Sequence, residues 1–142
     1  MPTVKPALAV LKDSTINIKI GAAVADDFAP AISTCVIQPT TSSATFQGVG
    51  TDASFVDQST ATWAAQLTFA QDWDSVKSLS RYLLDNEGKQ AVIEFRPRDK
   101  SAGFSVTATL APGAIGGTVN GFPTSSVTLG VIGKPVPLTK IP

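Results

Sequence analysis

Alternation of apolar and polar side chains dominates this chain and predicts a protein built mainly from β-strands. Five segments alternate with a period of two, which places successive side chains on opposite faces of a strand. They are residues 16–20, 63–69, 91–95, 104–110 and 127–131. Residues 7–12 and 32–38 are two weaker strand candidates. Each strong segment is therefore expected to bury one face.

One segment has helical spacing instead, and it predicts a single α-helix over about residues 73–86. The side chains expected to pack this helix on a sheet are Val76, Leu79, Tyr82 and Leu83. Asp72 is the predicted N-cap, and Gly88 is placed to stop the helix. Arg81 and Asp85 are four residues apart, so they are expected to pair on the outer face.

The order of these elements predicts the fold class. Strands that are separated by short turns pair antiparallel, and residues 89–98 with 101–111 form the clearest hairpin. We therefore expect an antiparallel β-sandwich or barrel with one flanking helix. Residues 1–142 are interpreted as one domain. Residues 1–6 form an N-terminal arm, and 133–142 form an extended tail that contains three prolines.

Two segments between the predicted strands are long and poor in apolar residues. Residues 39–61 are rich in Thr, Ser, Gly and Asp, and residues 112–123 hold four glycines and two prolines. The bulky apolar side chains of the first segment are Phe46, Val49, Phe55 and Val56. Both segments are predicted to be loops. Long loops within a compact domain are uncommon and are often functional, or become ordered by a partner.

Charge is scarce and unevenly placed. Charged residues make up 15% of the chain, and 11 basic residues balance 11 acidic ones. Scarce charge is typical of a compact β domain with a Thr- and Ser-rich surface, and also of a surface covered by neighbouring subunits. No Lys or Arg occurs from residue 20 to residue 76, where the acids are Asp26, Asp27, Asp52, Asp57, Asp72 and Asp74. Without a basic excess, tight nucleic-acid binding is not expected.

The residues that most enzymes and metal sites need are missing. The chain has no histidine, and its single cysteine, Cys35, can form no internal disulfide and is expected to be a small buried thiol. No phosphate-binding loop, serine nucleophile motif or calcium-binding loop is present. We therefore expect no enzyme activity, no cofactor and no metal. Neither a signal peptide nor an apolar membrane-spanning stretch is recognisable, so synthesis in a cytoplasm without membrane contact is expected.

Several segments together resemble a known family. They are WAAQLTFAQDW (63–73), SLSRYLLDNEG (78–88), AVIEFRP (91–97), the strand 104–110, IGG (115–117) and SVTLGVIGKP (126–135). This succession resembles the major tail protein, or tail tube protein, of long-tailed bacteriophages. The resemblance covers about residues 60–136, and the first 60 residues match only in general character.

The resemblance implies a β-sandwich or barrel with a flanking helix that assembles into hexameric rings. Stacked rings would form a hollow tail tube that conducts DNA into the host. The implied partners are further copies of the chain, tail initiator and terminator proteins and a tape-measure protein, with DNA only as passing cargo. The implied location is the virion tail, after synthesis in the host cytoplasm. No cofactor or metal is implied.

Two hypotheses about sites follow from this resemblance. Asp26, Asp27, Asp52 and Asp57 are candidates to face the tube lumen or the ring-stacking surface, where carboxylates would repel DNA phosphates. The apolar residues of segment 39–61 are candidates for the contact between rings. Two alternatives remain open from the sequence: an immunoglobulin-like binding or decoration module, and the inner tube of a contractile injection machine.

Overall fold

The computed structural model describes residues 1–8, 10–50 and 52–142. Its strands are β1 (Thr15–Lys19), β2 (Asp26–Asp27), β3 (Ile32–Thr40), β4 (Ser43–Gln47), β5 (Ser54–Gln58), β6 (Thr62–Ala70), β7 (Gln90–Arg96), β8 (Gly103–Thr109) and β9 (Thr124–Leu138). One helix, α1 (Leu79–Asp85), lies between β6 and β7, and a short 3-10 turn (Ala29–Ala31) precedes β3. These elements confirm the predicted mainly β fold with one helix.

Seven of the strands form one large sheet with the order β2-β1-β7-β8-β9-β6-β3. Each pair of neighbours is antiparallel, as the sequence predicted. The long strand β9 joins the two halves, because it pairs with β6 along its first part and with β8 along its second. The remaining strands, β4 and β5, form a separate two-stranded sheet.

The core lies on one face of the large sheet, and its residues follow the period-two pattern. The buried residues of the strands, together with Leu110 directly after β8, are Ile16, Ile18, Ala65, Leu67, Phe69, Ala91, Ile93, Val106, Ala108, Leu110, Val127 and Leu129. Leu79 and Leu83 of α1 join this cluster. Since alternate side chains of a strand point to opposite faces, each alternating segment contributes one row to the core.

The two ends of the large sheet approach each other through a short connection. Phe28, between β2 and β3, is buried; its N–H donates to the carbonyl of Ile16 at 2.9 Å. Its ring lies 5.2 Å from that of Tyr82, which ties the connection to α1. A cleft lined in part by Ile32 and Cys35 separates β1 from β3. The sheet therefore curls around its core but leaves this seam open.

The helix begins later than predicted. It starts at Leu79, and Ser78 is its N-cap, with its hydroxyl accepting the N–H of Arg81 at 3.4 Å. Val76 lies before the helix and is 85% exposed, so its assignment to helix packing was wrong. The Arg81 guanidinium donates from Nε to the carbonyl of Trp73 at 2.7 Å. Arg81 therefore binds the segment before the helix, and it does not form the predicted pair with Asp85.

Asp72 shows why the helix does not start where the pattern suggested. Its carboxylate accepts the backbone N–H groups of Asp74 and Ser75, at 3.1 and 3.2 Å. Hydrogen bonds from Ser75, and from the N–H of Asp74, hold the pKa of Asp72 below its usual value. Such local side-chain bonds compete with helix formation. Asp72 therefore organises an irregular turn, and Ser78 takes the capping role.

Three other segments differ from their predictions. Residues 39–61 are not one long loop, since β3 runs to Thr40 and β4 with β5 form a hairpin; residue 51 lies outside the described residues. Residues 7, 8 and 10–12 form no strand, and residue 9 is also outside the described part. Within the predicted tail 133–142, β9 continues to Leu138. Local sequence did not reveal which of these segments would find a strand partner, because strand pairing depends on distant parts of the chain.

Substituting Ser125 with alanine is expected to stabilise the subunit. Ser125 is 5% exposed on β9, and among the described residues its Oγ is the buried side-chain polar atom without a hydrogen-bond partner. Removing an unsatisfied hydroxyl should raise the free energy of unfolding by about 1 kcal/mol. Urea denaturation would measure this change.

Ser126→Ala is the matched control, because Ser126 Oγ is exposed and lies 3.0 Å from Thr68 Oγ1. It should change the free energy of unfolding by less than about 0.5 kcal/mol. A loss of stability in Ser125→Ala would contradict the assignment of an unpaired hydroxyl.

Candidate functional site

The hairpin formed by β4 and β5, here called the arm, is a two-stranded element outside the large sheet. It leaves the large sheet after Thr40 and returns to it at Thr62. All the strand residues of the arm are exposed. The rings of Phe46 and Phe55 face each other across the two strands at a centroid distance of 6.3 Å. The arm therefore carries aromatic surface that its own subunit does not cover.

The apolar side chains predicted for an inter-ring contact all lie on this arm. Phe46 is 67% exposed, Val49 110%, Phe55 64% and Val56 69%. The turn between the strands is closed by a hydrogen bond from the N–H of Gly48 to the carbonyl of Ala53 at 2.6 Å. The structure thus collects these four residues on one projecting element.

The four candidate acids are not brought together. Asp26 and Asp27 lie on β2 of the large sheet, whereas Asp52 and Asp57 lie on the arm. Asp27 Oδ1 accepts the N–H of Ile16 at 3.1 Å and that of Ala29 at 3.0 Å. It therefore satisfies backbone donors beside the open seam. Asp52 occupies the left-handed region, with φ 61°, in the turn of the arm.

A second exposed surface lies at the other end of the subunit, in the loop predicted over residues 112–123, although the sequence did not single out its apolar residues. Residues 111–123, here called the platform loop, connect β8 to β9 and expose Ile115, Val119 and Phe122 by 65, 89 and 95%. Gln71 holds this loop in place. Its amide nitrogen donates to the carbonyl of Gly116 at 2.8 Å, and its amide oxygen accepts the N–H of Gly116 at 3.0 Å.

Trp73 adds an aromatic side to the platform loop. Its Nε1 donates to the amide oxygen of Gln71 at 3.3 Å, so one glutamine connects the end of β6, the tryptophan and the loop. Trp73, Ile115, Val119 and Pro123 line a shallow groove of about 400 Å³. A Gln placed directly after an alternating strand was the available signal, but only the fold brings the loop to it.

The outer face of β3, β6 and β9 carries no charge. Its residues are Thr34, Val36, Gln38, Ala64, Gln66, Thr68, Ser126, Thr128 and Gly130. By contrast, the outer face of β1 and β7 includes Lys19, Glu94 and Arg96. Within the described residues, the free side of β3 has no strand partner. One nine-residue edge therefore borders a wide neutral face.

The same end of the subunit as the arm also has an open apolar groove. Its volume is about 440 Å³, and its lining residues are Ile37, Trp63, Phe95, Phe104, Lys134 and Pro135. Phe104 is 47% exposed, although the side chains two and four residues further along β8 are buried. Apolar side chains next to the core are therefore exposed to solvent where the arm leaves the large sheet.

Neither a metal centre nor a membrane span emerges from the described residues. Across residues 1–8, 10–50 and 52–142, no three His, Cys, Asp or Glu side chains are grouped to hold a metal ion. The same residues contain no helix that is long and apolar enough to cross a membrane.

Comparison with known proteins shows a likeness of fold. No protein-family model matches the chain, and no curated protein matches it in sequence. Among solved structures, it is similar to a chain in the tail of an empty GTA particle, computed with helical refinement in C6 symmetry. The TM-score is 0.53 at 11% identity, over 87% of this chain and 94% of that chain. This chain shares its fold with a particle-tail protein.

The reactivity of the Cys35 thiol, on the edge strand β3, is expected to depend on pH. Cys35 lies half-buried on β3, not fully buried as the sequence predicted, and this partial burial raises the pKa of its thiol to about 11. Since the thiolate is the reactive form, only about one thiol in a thousand is ionised at pH 8. Labelling of the native protein by a thiol reagent should therefore be slow, and should accelerate about tenfold per pH unit up to about pH 11.

The urea-unfolded chain is the control for this prediction, because its thiol has the ordinary pKa near 8.5 and its labelling rate should level off above that pH. A native protein whose labelling rate levels off at the same pH as the unfolded chain would contradict the burial of Cys35.

Proposed function

We propose that this chain is a structural, non-catalytic protein of a phage-like particle tail, whose copies form rings that stack into a tube. The observation that carries the proposal is the arm, an exposed two-stranded sheet with aromatic side chains. The shared fold supports the same conclusion, because the solved neighbour lies in a particle tail refined with C6 symmetry. Six-membered rings follow as the proposed symmetry.

The arm needs a partner to be stable. An isolated two-stranded hairpin is marginally stable in water, and strands normally need a further apolar surface to pack on. The arm has none within its own subunit, since the strand residues of β4 and β5 are all exposed. Burying Phe46 and Phe55 against another copy would contribute about 1.5–3 kcal/mol for each side chain. Contact between stacked rings supplies such a surface.

The open edge of β3 supports ring formation. Long exposed edges invite pairing with other chains, and proteins usually cover or break them. β3 offers nine residues on its free side, within the described part of the chain. If the large sheets of neighbouring subunits continue into one another around a ring, closure removes these edges.

DNA is proposed as passing cargo of the tube. Phosphate affinity comes mainly from Lys and Arg contacts. The neutral face of β3, β6 and β9 has none, and the candidate acids would repel phosphate. We retain the proposal that some of Asp26, Asp27, Asp52 and Asp57 line the lumen or the stacking surface. An assembled structure with all four on the outer wall of the tube would contradict it.

The proposal is tested by electron microscopy of the purified protein across a concentration series, with light scattering on the same samples. Rings and hollow tubes that appear above a critical concentration are expected. Tail initiator complexes, which we propose as partners together with terminator and tape-measure proteins, should lower that concentration. A subunit that stays monomeric even with such an initiator would instead favour a binding or decoration module.

A further inference from the structure

The tip of the platform loop contains an Asn-Gly dipeptide, Asn120–Gly121. Val119 and Asn120 form the turn at this tip, and Asn120 is in the left-handed region with φ 65°. Asparagine tolerates this conformation better than most residues, so the turn explains why it is found there. The dipeptide can also react within itself, because glycine has no side chain that keeps its backbone nitrogen away from the asparagine amide.

This reaction needs only water as a co-reactant. The backbone nitrogen of Gly121 attacks Cγ of Asn120, so that an N–Cγ bond forms and the Cγ–Nδ2 bond breaks. Nδ2 leaves as ammonia and takes the proton displaced from the Gly121 nitrogen, and a cyclic succinimide remains. Water then opens the ring. Attack of water at Cγ gives aspartate, and attack at the backbone carbonyl carbon gives isoaspartate, which is a covalent change of the main chain.

Little in the structure holds the tip of the loop in its turn. Gln71 fixes the loop on either side of the tip, through hydrogen bonds with Gly116 and with the carbonyl of Pro123. At the tip itself, no backbone carbonyl of the described residues accepts the N–H of Gly121. The side chains on either side of the dipeptide are 89 and 95% exposed. Because exposed loop tips move readily, the Gly121 nitrogen can rotate towards Cγ of the asparagine.

The other two asparagines of the chain lie in settings that oppose the same attack. Asn17 is paired on both sides within the large sheet, and the residue after it, Ile18, is β-branched and 1% exposed. Asn86 is the C-cap of α1, its Nδ2 donates to the carbonyl of Tyr82 at 2.9 Å, and a glutamate follows it. Asn120 is the asparagine that combines a following glycine with an exposed turn.

We propose that Asn120 is a modification site, at which the folded protein converts spontaneously to aspartate and isoaspartate. The conversion places the first charge within residues 111–123, next to Thr118 and Val119 of the shallow groove. Isoaspartate also routes the main chain through Cβ and Cγ, which lengthens the chain at the tip. The inference goes beyond the proposed function and does not depend on it, since it requires only this turn and water.

Timed incubation of the folded protein in mildly alkaline buffer tests the proposal. Peptide mapping by mass spectrometry measures the exchange of ammonia for water at each asparagine, and an isoaspartyl methyltransferase with a labelled methyl donor detects isoaspartate. Asn120 should convert at least about tenfold faster than Asn17 or Asn86. Equal rates at the three positions would overturn the inference. So would a rate at Asn120 more than about a hundredfold below its rate in the urea-unfolded chain, because the fold would then protect the tip.

Gly121→Ala is the matched variant. A Cβ added to Gly121 would have Thr118 Oγ1 as its nearest neighbour outside the adjacent residues, at an ordinary contact distance of 3.7 Å, so the variant should fold normally. Its methyl group crowds the attacking nitrogen, and conversion of Asn120 should therefore slow at least about tenfold. Circular dichroism would verify the fold. An unchanged rate in the folded variant would overturn the inference, because the Gly121 nitrogen would not be the attacking group.

Discussion

Replacing Phe46 and Phe55 together with serine is expected to abolish tube formation and to leave a folded subunit. The two rings are 67 and 64% exposed and contact each other across the arm, so the core of the subunit does not depend on them. If both become buried in an assembly, their loss costs about 3–6 kcal/mol for each arm. Electron microscopy would show the loss of tubes, and circular dichroism would show the retained fold.

Val24→Ser is the matched control for this prediction. Val24 is 90% exposed outside the arm and the platform loop, so the substitution removes an exposed apolar side chain elsewhere on the surface. It should assemble like the unmodified protein. Normal tubes from the arm variant would contradict a role for the arm in assembly, whereas loss of the fold would contradict its independence from the core.

Replacing Leu129 with alanine is expected to cause the largest loss of stability. Leu129 is fully buried on β9, the strand that joins the two halves of the large sheet. Truncating a buried leucine removes transfer free energy and leaves a cavity, which together cost about 2–5 kcal/mol. Urea denaturation should show this loss as a lower midpoint with an unchanged slope.

Ile132→Ala tests whether the cost arises from burial. Ile132 lies three residues further along the same strand and is 50% exposed. Its truncation should cost less than about 1.5 kcal/mol. Equal losses at the two positions would mean that strand propensity in β9, not cavity formation, determines the effect.

The strands of the large sheet could be read from the sequence because each one has a buried face. Alternation at Ile16 and Ile18 on β1, or at Val127 and Leu129 on β9, reflects contact with one core. The arm has no such face, so Phe46 and Phe55 stand among polar residues, and segment 39–61 was predicted to be a loop. A hairpin without a core leaves only a weak periodic signal.

The helix shows a different reason for error. Leu79 and Leu83 are buried, and their spacing located the helix. Its start was misplaced because Val76 matched the same spacing and Asp72 is a good N-cap residue. In the structure, Asp72 accepts N–H groups of a turn that is not helical. The sequence shows only that aspartate is a residue type that often caps helices. Which backbone N–H groups its carboxylate binds depends on the fold.

The candidate surfaces could be predicted only in part. The sequence located the apolar residues of the arm and the acidic stretch between residues 20 and 76. It predicted the loop over residues 112–123 but not how that loop is held, because the hydrogen bonds of Gln71 to Gly116 and Thr124 join residues 45 and 53 positions apart. Such contacts have no local pattern in the chain.

By itself, the sequence determined the strand-forming segments, the position of one helix and the absence of histidine, because these depend on residue type and short-range spacing. Tertiary structure alone decided that β3 has an open edge and that the arm and the platform loop lie at opposite ends. The physical reason is that strand order and register arise from long-range pairing. Strand pairing therefore determines at which end of the subunit the arm and the platform loop lie, and the residues within them do not.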